Sequence, residues 1–171
     1  MAEFIVYFSR AGENYFSGEI RSIEIGNTEV AVQLLQELTG APSFKLEPLQ
    51  PYSNDYNTCV EQARAEARRD ARPELKAYPE DMEHCDTIYL CYPNYCGSMP
   101  MPVFTFLEHF DFAGKKICPL CTHEGSGMGT SERDIHRLCP QAALKRGLPI
   151  QGSRVKNAKK QIETWVSACC D

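Results

Sequence analysis

Apolar and polar positions along this chain keep two rhythms in turn. Phe4-Ile5-Val6-Tyr7-Phe8 is an unbroken apolar run, the pattern of a strand buried on both faces. Over residues 28–38 the period lengthens, with Val30, Ala31, Leu34, Leu35 and Leu38 at helical spacing. Gly40 follows where the end of a helix favours glycine. Ser43-Phe44-Lys45-Leu46 reads as a short second strand. Asp55 is placed to cap a helix running to about Arg69, with Glu61, Arg64, Glu66, Arg68 and Arg69 forming a solvated face. Thr87 to Tyr92 is a third apolar run. A helix then starts near Met101, with Pro100 and Pro102 in its first turn, where proline is tolerated. Val103, Phe104, Phe106, Leu107 and Phe110 supply its buried side. Lys116 to Cys121 is a fourth strand, in which Pro119 implies a bulge. A helix near residues 131–138, a fifth strand near Leu148 to Gln151 at the sheet edge, and a final helix carrying Ala158, Ile162, Trp165, Val166 and Cys169 complete the series.

Strand and helix alternate five times, which predicts an α/β fold: a parallel sheet with helices on both faces. No composition shift, repeat or low-complexity tract divides residues 1–171, so a single domain is expected. Ligands of such sheets bind at the carboxyl ends of the strands, where the strand order reverses. Here that means just after Phe8, Tyr92 and Cys121. The stretch from Ala11 to Gly26 stands out, because connections between a strand and a helix usually take about 2–6 residues and longer ones are often functional.

Composition narrows the function classes. The 171 residues carry 18 basic and 23 acidic side chains, a net charge of −5, and no basic stripe of the kind nucleic-acid binding requires. Nothing approaches the ~18 apolar residues of a membrane span, and the first residues lack a signal-peptide pattern. A cytoplasmic location is therefore expected, with no nucleic-acid or membrane partner. The nine cysteines are an odd number and read as reduced thiols. Cys118 and Cys121 have redox-motif spacing, but in a strand they point to opposite faces. Cys91 reads as a core residue, and Cys169 and Cys170 as part of a frayed terminus.

Three strand ends carry candidate chemistry. Ser9, Arg10, Ala11 and Gly12 follow the first strand, and Gly26-Asn27-Thr28-Glu29 opens the first helix. Unpaired amides and the positive end of the helix dipole suit an anion there, and Ser9, Asn27 and Thr28 would complete a phosphate cradle. On this segment alone, a plain N-cap at Asn27 or Thr28 is the better reading. It is neither the glycine fingerprint of a dinucleotide site nor a P-loop. The second turn, Pro93-Asn94-Tyr95-Cys96-Gly97, presents an exposed Tyr95. A planar ligand stacked there would gain ~0.5–1.5 kcal/mol; packing of the ring on the next helix is an equal alternative. The third turn, Thr122-His123-Glu124-Gly125-Ser126-Gly127, lets backbone amides approach a ligand. With no third metal ligand at a familiar spacing, His123 and Glu124 read as a hydrogen-bonded loop pair.

Taken together, Ser9-Arg10-Ala11-Gly12-Glu13-Asn14-Tyr15, Gly26-Asn27-Thr28-Glu29, Tyr92-Pro93-Asn94, Gly97-Ser98-Met99-Pro100-Met101 and Thr122 to Gly127 resemble the flavodoxins and flavodoxin-like proteins that bind FMN, over nearly the whole chain. The resemblance implies a three-layer α-β-α fold with a five-stranded parallel sheet in the order 2-1-3-4-5 and FMN at its carboxyl edge. By motif, Ser9, Arg10, Ala11, Asn27 and Thr28 would meet the phosphate. Pro93, Asn94, Tyr95, Cys96 and Gly97 would flank the isoalloxazine with Thr122, His123, Glu124, Gly125, Ser126 and Gly127, backbone groups at Cys96-Gly97 meeting its reactive edge. The chain departs from the pattern in residues 13–25, which separate phosphate loop from helix. It departs also at Tyr95 and Cys96, where relatives often carry tryptophan. The implied function is electron transfer with a redox partner protein, placed narrowly ahead of an NAD(P)H-dependent reductase of quinones or other small acceptors. The Pro-x-Tyr-x-Gly pattern at 93–97 resembles the reductases, and a charge of −5 is mild for a carrier.

Overall fold

The computed structural model describes residues 2–171. Its main sheet is parallel throughout. Strand β1 (Glu3–Tyr7) pairs on one side with β4 (Ser43–Lys45) and on the other with β5 (Thr87–Pro93), which pairs with β6 (Lys116–His123). β5 and β6 lie inside the sheet, and their central residues are buried on both faces, as their unbroken apolar runs require. One face packs on α1 (Asn27–Thr39) and α5 (Lys159–Cys170) through Ala31, Leu35, Ile162 and Trp165. The other packs on α3 (Met101–His109) and α4 (Ser131–Leu138) through Val103, Phe104, Phe106 and Ile135. This is the expected three-layer α/β architecture.

The sheet has six strands where five were expected, because its last edge is broken in two. β7 (Ala143–Leu144) pairs with the start of β6 and β8 (Leu148–Gln151) with its end. The cause is Pro119. The Lys145 amide reaches the Ile117 carbonyl on this edge, so residue 119, two further on, faces the same way and has no N–H for the next rung. The bulge expected within β6 is absent; the interruption falls in its neighbour instead. The Trp165 indole donates to the Arg146 carbonyl at 3.0 Å and anchors α5 to the break.

The long connection after β1 is not a loop. β2 (Gly12–Phe16) and β3 (Glu19–Ile23) form a separate antiparallel hairpin. It stands beside α2 (Tyr56–Arg68), to which Glu13 ties it by accepting the Tyr56 amide at 3.1 Å. Asp55 caps α2 as expected, accepting from the Thr58 amide at 2.9 Å and the Thr58 hydroxyl at 2.7 Å.

All nine cysteines are free. Cys118 and Cys121 belong to the cores on opposite faces of the sheet, and Cys91 is fully buried. The expectation of a frayed terminus fails for Cys169, which is buried on the sheet-facing side of α5; the terminus is also held by Lys116, which donates to the Cys170 carbonyl at 3.2 Å. No helix among the described residues is long and apolar enough to cross a membrane.

Candidate functional site

A cleft of about 540 Å³ opens at the carboxyl ends of β1, β5 and β6. Of the sixteen residues expected at a site, all but Ala11, Gly97 and Gly127 line it. The two glycines shape it from behind. Asn94 accepts from the Gly97 amide and donates to the Gly127 carbonyl, both at 3.0 Å, and so locks the second turn to the third. Ala11 is exposed at the start of the hairpin.

At one end of the cleft is the N-terminus of α1. Its N-cap is Gly26, which has no side chain to cap with, so neither Asn27 nor Thr28 acts as the cap the sequence suggested. The cap comes from the turn after β1: Ser9 Oγ accepts from the Glu29 amide at 3.1 Å. A Cβ on residue 26 would lie 2.2 Å from that oxygen and 2.8 Å from the Arg10 carbonyl, so only glycine allows the approach. The amides of Asn27 and Thr28 then donate to no protein group among the described residues. Two free amides at the start of a thirteen-residue helix are an anion-binding arrangement. The Thr28 hydroxyl is engaged elsewhere, 2.7 Å from the Thr122 hydroxyl, and ties α1 to the third turn.

Arg10 lines the cleft, and each of its three guanidinium nitrogens is engaged by the protein. Its guanidinium donates to the carbonyls of Ser53 at 3.0 Å, Glu13 at 2.5 Å and Asn54 at 2.9 Å, clasping hairpin and α2 loop to β1. Glu124 is also structural, accepting from the Ser153 amide at 2.8 Å. His123 Nδ1 accepts from the Gly125 amide at 2.9 Å, and burial holds the imidazole below its ordinary pKa, with Glu124 opposing. The pair is thus hydrogen-bonded within the loops, and no metal-binding cluster occurs among the described residues.

At the other end the second turn is tight. Tyr95 and Ser98 exchange backbone hydrogen bonds at 3.0 Å around Cys96 (φ 54) and Gly97 (φ 79), a two-residue hairpin turn with both central residues left-handed. Tyr95 is not the exposed ring anticipated. It is half-buried, edge-on to Phe8 at 5.7 Å and Tyr52 at 5.8 Å, with its hydroxyl 3.8 Å from Cys59 Sγ. It packs toward α2 rather than onto the next helix, because Phe8 and Tyr52, distant in sequence, converge on it. Cys96 stays exposed.

The far wall was missed by the sequence reading. Asn14 and Tyr15 come from the hairpin, and Tyr56, Cys59, Val60, Ala63 and Arg64 from α2. The α2 residues fall at i, i+3, i+4, i+7 and i+8, one helical face; that spacing was readable, but Arg64 was assigned to solvent. The Tyr15 and Tyr56 rings lie 6.2 Å apart and form an aromatic side to the cleft.

Comparison with known proteins comes to the same architecture. The sequence profile of the flavodoxin family matches residues 14–169. A comparison with curated proteins finds no match. Among solved structures, a Bacteroides eggerthii protein described as a flavoprotein is 23% identical, with 99% of this chain and 98% of that one covered and a TM-score of 0.80. A Lactobacillus acidophilus flavoprotein in complex with FMN is 15% identical over 91% and 97% of the two chains, with a TM-score of 0.65. Flavodoxin 2 from Bacillus cereus is 16% identical over 99% and 98%, with a TM-score of 0.54. At these identities the structural likeness speaks for the fold.

Proposed function

The chain belongs to the flavodoxin family, and from that premise we propose that its cleft holds FMN and that the protein passes electrons through the bound flavin. The observation that carries this reading is the pair of unpartnered amides at Asn27 and Thr28, opened by the close approach of Gly26 to Ser9. They form a cradle for a phosphate at one end of a cleft long enough to hold a ring system at the other. Bound FMN supplies the redox chemistry, and the protein supplies orientation, access and electrostatics.

The division of labour among residues differs from the motif-based expectation. Phosphate binding falls to the two amides and the Asn27 side chain. Ser9 acts behind them as the cap, and Arg10 holds the wall in place while its positive charge adds to the field. At the ring end the Gly97 amide is taken by Asn94. The Cys96 amide and carbonyl have no partner among the described residues, which leaves these two backbone groups of the turn free to meet a flavin.

A second reading, an oxidoreductase acting on small acceptors, is favoured over a pure carrier by one feature. The hairpin and α2 stand over the cleft, with Tyr15 and Tyr56 lining it, and would keep a protein partner from the ring more than a small molecule.

The test is the absorbance spectrum of the protein after addition of FMN, followed by NADPH. A bound-flavin spectrum with one FMN per chain is expected. A protein that takes up no FMN overturns the reading. Bleaching by NADPH alone marks the oxidoreductase, and reduction only through a reductase protein marks the carrier.

A further inference from the structure

Acids outnumber bases in the chain, 23 to 18, yet the open end of the cleft is the reverse. Arg64 lines it, and Arg68 lies one helical turn further along the same face of α2. Neither forms an ion pair or a side-chain hydrogen bond among the described residues. Four acids around them face another group: Glu66 accepts from the Tyr52 hydroxyl, Glu13 from the Tyr56 amide, Asp55 from the start of α2, and Glu124 from Ser153 across the cleft. Glu61, one turn before Arg64, is exposed and forms no ion pair with either arginine. Cys96, exposed on the opposite lip, senses the balance. Burial raises its pKa, Arg64 and Arg68 pull it down, and Glu66 contributes the smallest upward push.

We propose that the space between Cys96 and α2 is a binding site for a small anionic redox reactant, one bearing a carboxylate, phosphate or sulfonate, with Arg64 as the contacting group and Arg68 reinforcing it. A small molecule fits better than the acidic face of a protein, because the hairpin and the Tyr15–Tyr56 pair rise over the same opening. The redox part rests on the flavin reading above; the anion preference rests on α2 alone.

Cys96 gives a readout that needs no flavin. In the flavin-free protein, its alkylation by iodoacetate, an anion, is compared with that by neutral iodoacetamide. Both react with the thiolate, so the ratio cancels changes in thiol pKa. Peptide mapping follows Cys96 separately from Cys170, the other exposed cysteine. Charges ~6–8 Å apart in water change such a ratio by ~2–3-fold each. Arg64→Gln should therefore lower the Cys96 ratio about threefold and Arg64→Gln/Arg68→Gln about five- to tenfold. Arg69→Gln at the end of α2, and the ratio at Cys170, serve as unchanged references. An unchanged Cys96 ratio in the double variant overturns the anion site.

The second arm uses FMN-loaded, reduced protein oxidised by ferricyanide or by hexaammineruthenium(III). Each ion takes one electron, so two complete the oxidation. The double variant should slow ferricyanide and speed the ruthenium cation. If the alkylation ratio falls but these rates do not move, reactants reach the flavin by another route and the redox assignment is wrong. If no FMN is taken up, the proposed function fails while the alkylation result still decides the anion site.

Discussion

Replacing Gly26 by alanine tests the link between a steric detail and the site it opens. The backbone at Gly26 (φ −60, ψ 148) suits any residue, so the whole effect comes from space. The added methyl would lie 2.2 Å from Ser9 Oγ, 2.8 Å from the Arg10 carbonyl oxygen and 3.0 Å from its carbon. Ser9 can rotate away, at the loss of its bond to the Glu29 amide, a net ~1 kcal/mol. The Arg10 backbone cannot, because its side chain is fixed to three carbonyls. Overpacking of this kind costs ~1–3 kcal/mol, for a total of about 2–4 kcal/mol. The strain is relieved most readily by moving the first turn of α1, which displaces the Asn27 and Thr28 amides from their aim. Loss of one hydrogen bond to a charged group, ~1.5–3 kcal/mol, would weaken FMN binding by about ten- to 150-fold.

Urea unfolding followed by far-ultraviolet circular dichroism measures the first quantity, and titration of FMN by quenching of its fluorescence measures the second. Two comparison variants separate site from stability. Gly40→Ala has open space around the new methyl but a φ of 70, so it should cost ~1–2 kcal/mol and leave FMN affinity unchanged. Ser9→Gly/Gly26→Ala removes the shortest contact and keeps the Arg10 one, so it should recover part of the lost stability. A Gly26→Ala protein within ~0.5 kcal/mol of the parent and with unaltered FMN affinity would refute the argument, since ordinary surface changes fall in that range.

Other consequences can be checked more simply. Thr122→Val leaves the buried Thr28 hydroxyl without its partner at 2.7 Å and should cost ~1–3 kcal/mol in urea unfolding; Thr28→Val/Thr122→Val should cost less than the two single changes summed. Cys96→Gly relieves a left-handed non-glycine residue in a two-residue turn and should stabilise the protein by up to ~1 kcal/mol. Because burial lowers the pKa of His123, the folded chain binds fewer protons than the unfolded one. Its stability should be complete above the ordinary value of about 6.5 and fall as pH drops from there through the folded pKa. His123→Asn should flatten that slope, and an imidazole NMR titration midpoint at or above the ordinary value would contradict it. Of the nine thiols, only Cys96 and Cys170 are exposed, so a colorimetric thiol assay should count two in the native protein and nine in denaturant.

What could be read from the sequence, and what could not, follows from where each signal resides. Strands β5 and β6 and helices α1, α2, α3 and α5 were legible because local periodicity reports burial directly. The site's floor was legible for a related reason: turns at strand ends have a restricted vocabulary of Gly, Pro, Ser and Asn. The hairpin was hidden because Gly12–Phe16 is half-buried along most of its length and Glu19–Ile23 is mostly exposed, so no alternation of buried and exposed positions marks either strand. Pro119 was correctly seen as a disruption, but a missing donor breaks a rung shared by two strands, and the sequence does not say which one yields. Tyr95 was misplaced because two rings from other parts of the chain, Phe8 and Tyr52, decide its environment. For Arg10 the resemblance implies a phosphate contact, and the motif carries no sign of the three carbonyls its guanidinium also holds.

Charge divides in the same way between the whole surface and the cleft. A net charge of −5 is a sum over the whole surface, and fields are screened within ~8 Å at physiological ionic strength. A reactant in the cleft therefore responds to Arg64 and Arg68 on one lip and hardly at all to acids on the far side of the sheet. The weak overall acidity that made a carrier less convincing was thus an average over unlike regions, and the charged side chains lining the cleft itself are Arg10, Arg64 and Glu124. Net charge speaks to solubility and long-range steering; the proposed preference for anions at the ring end rests on one face of α2.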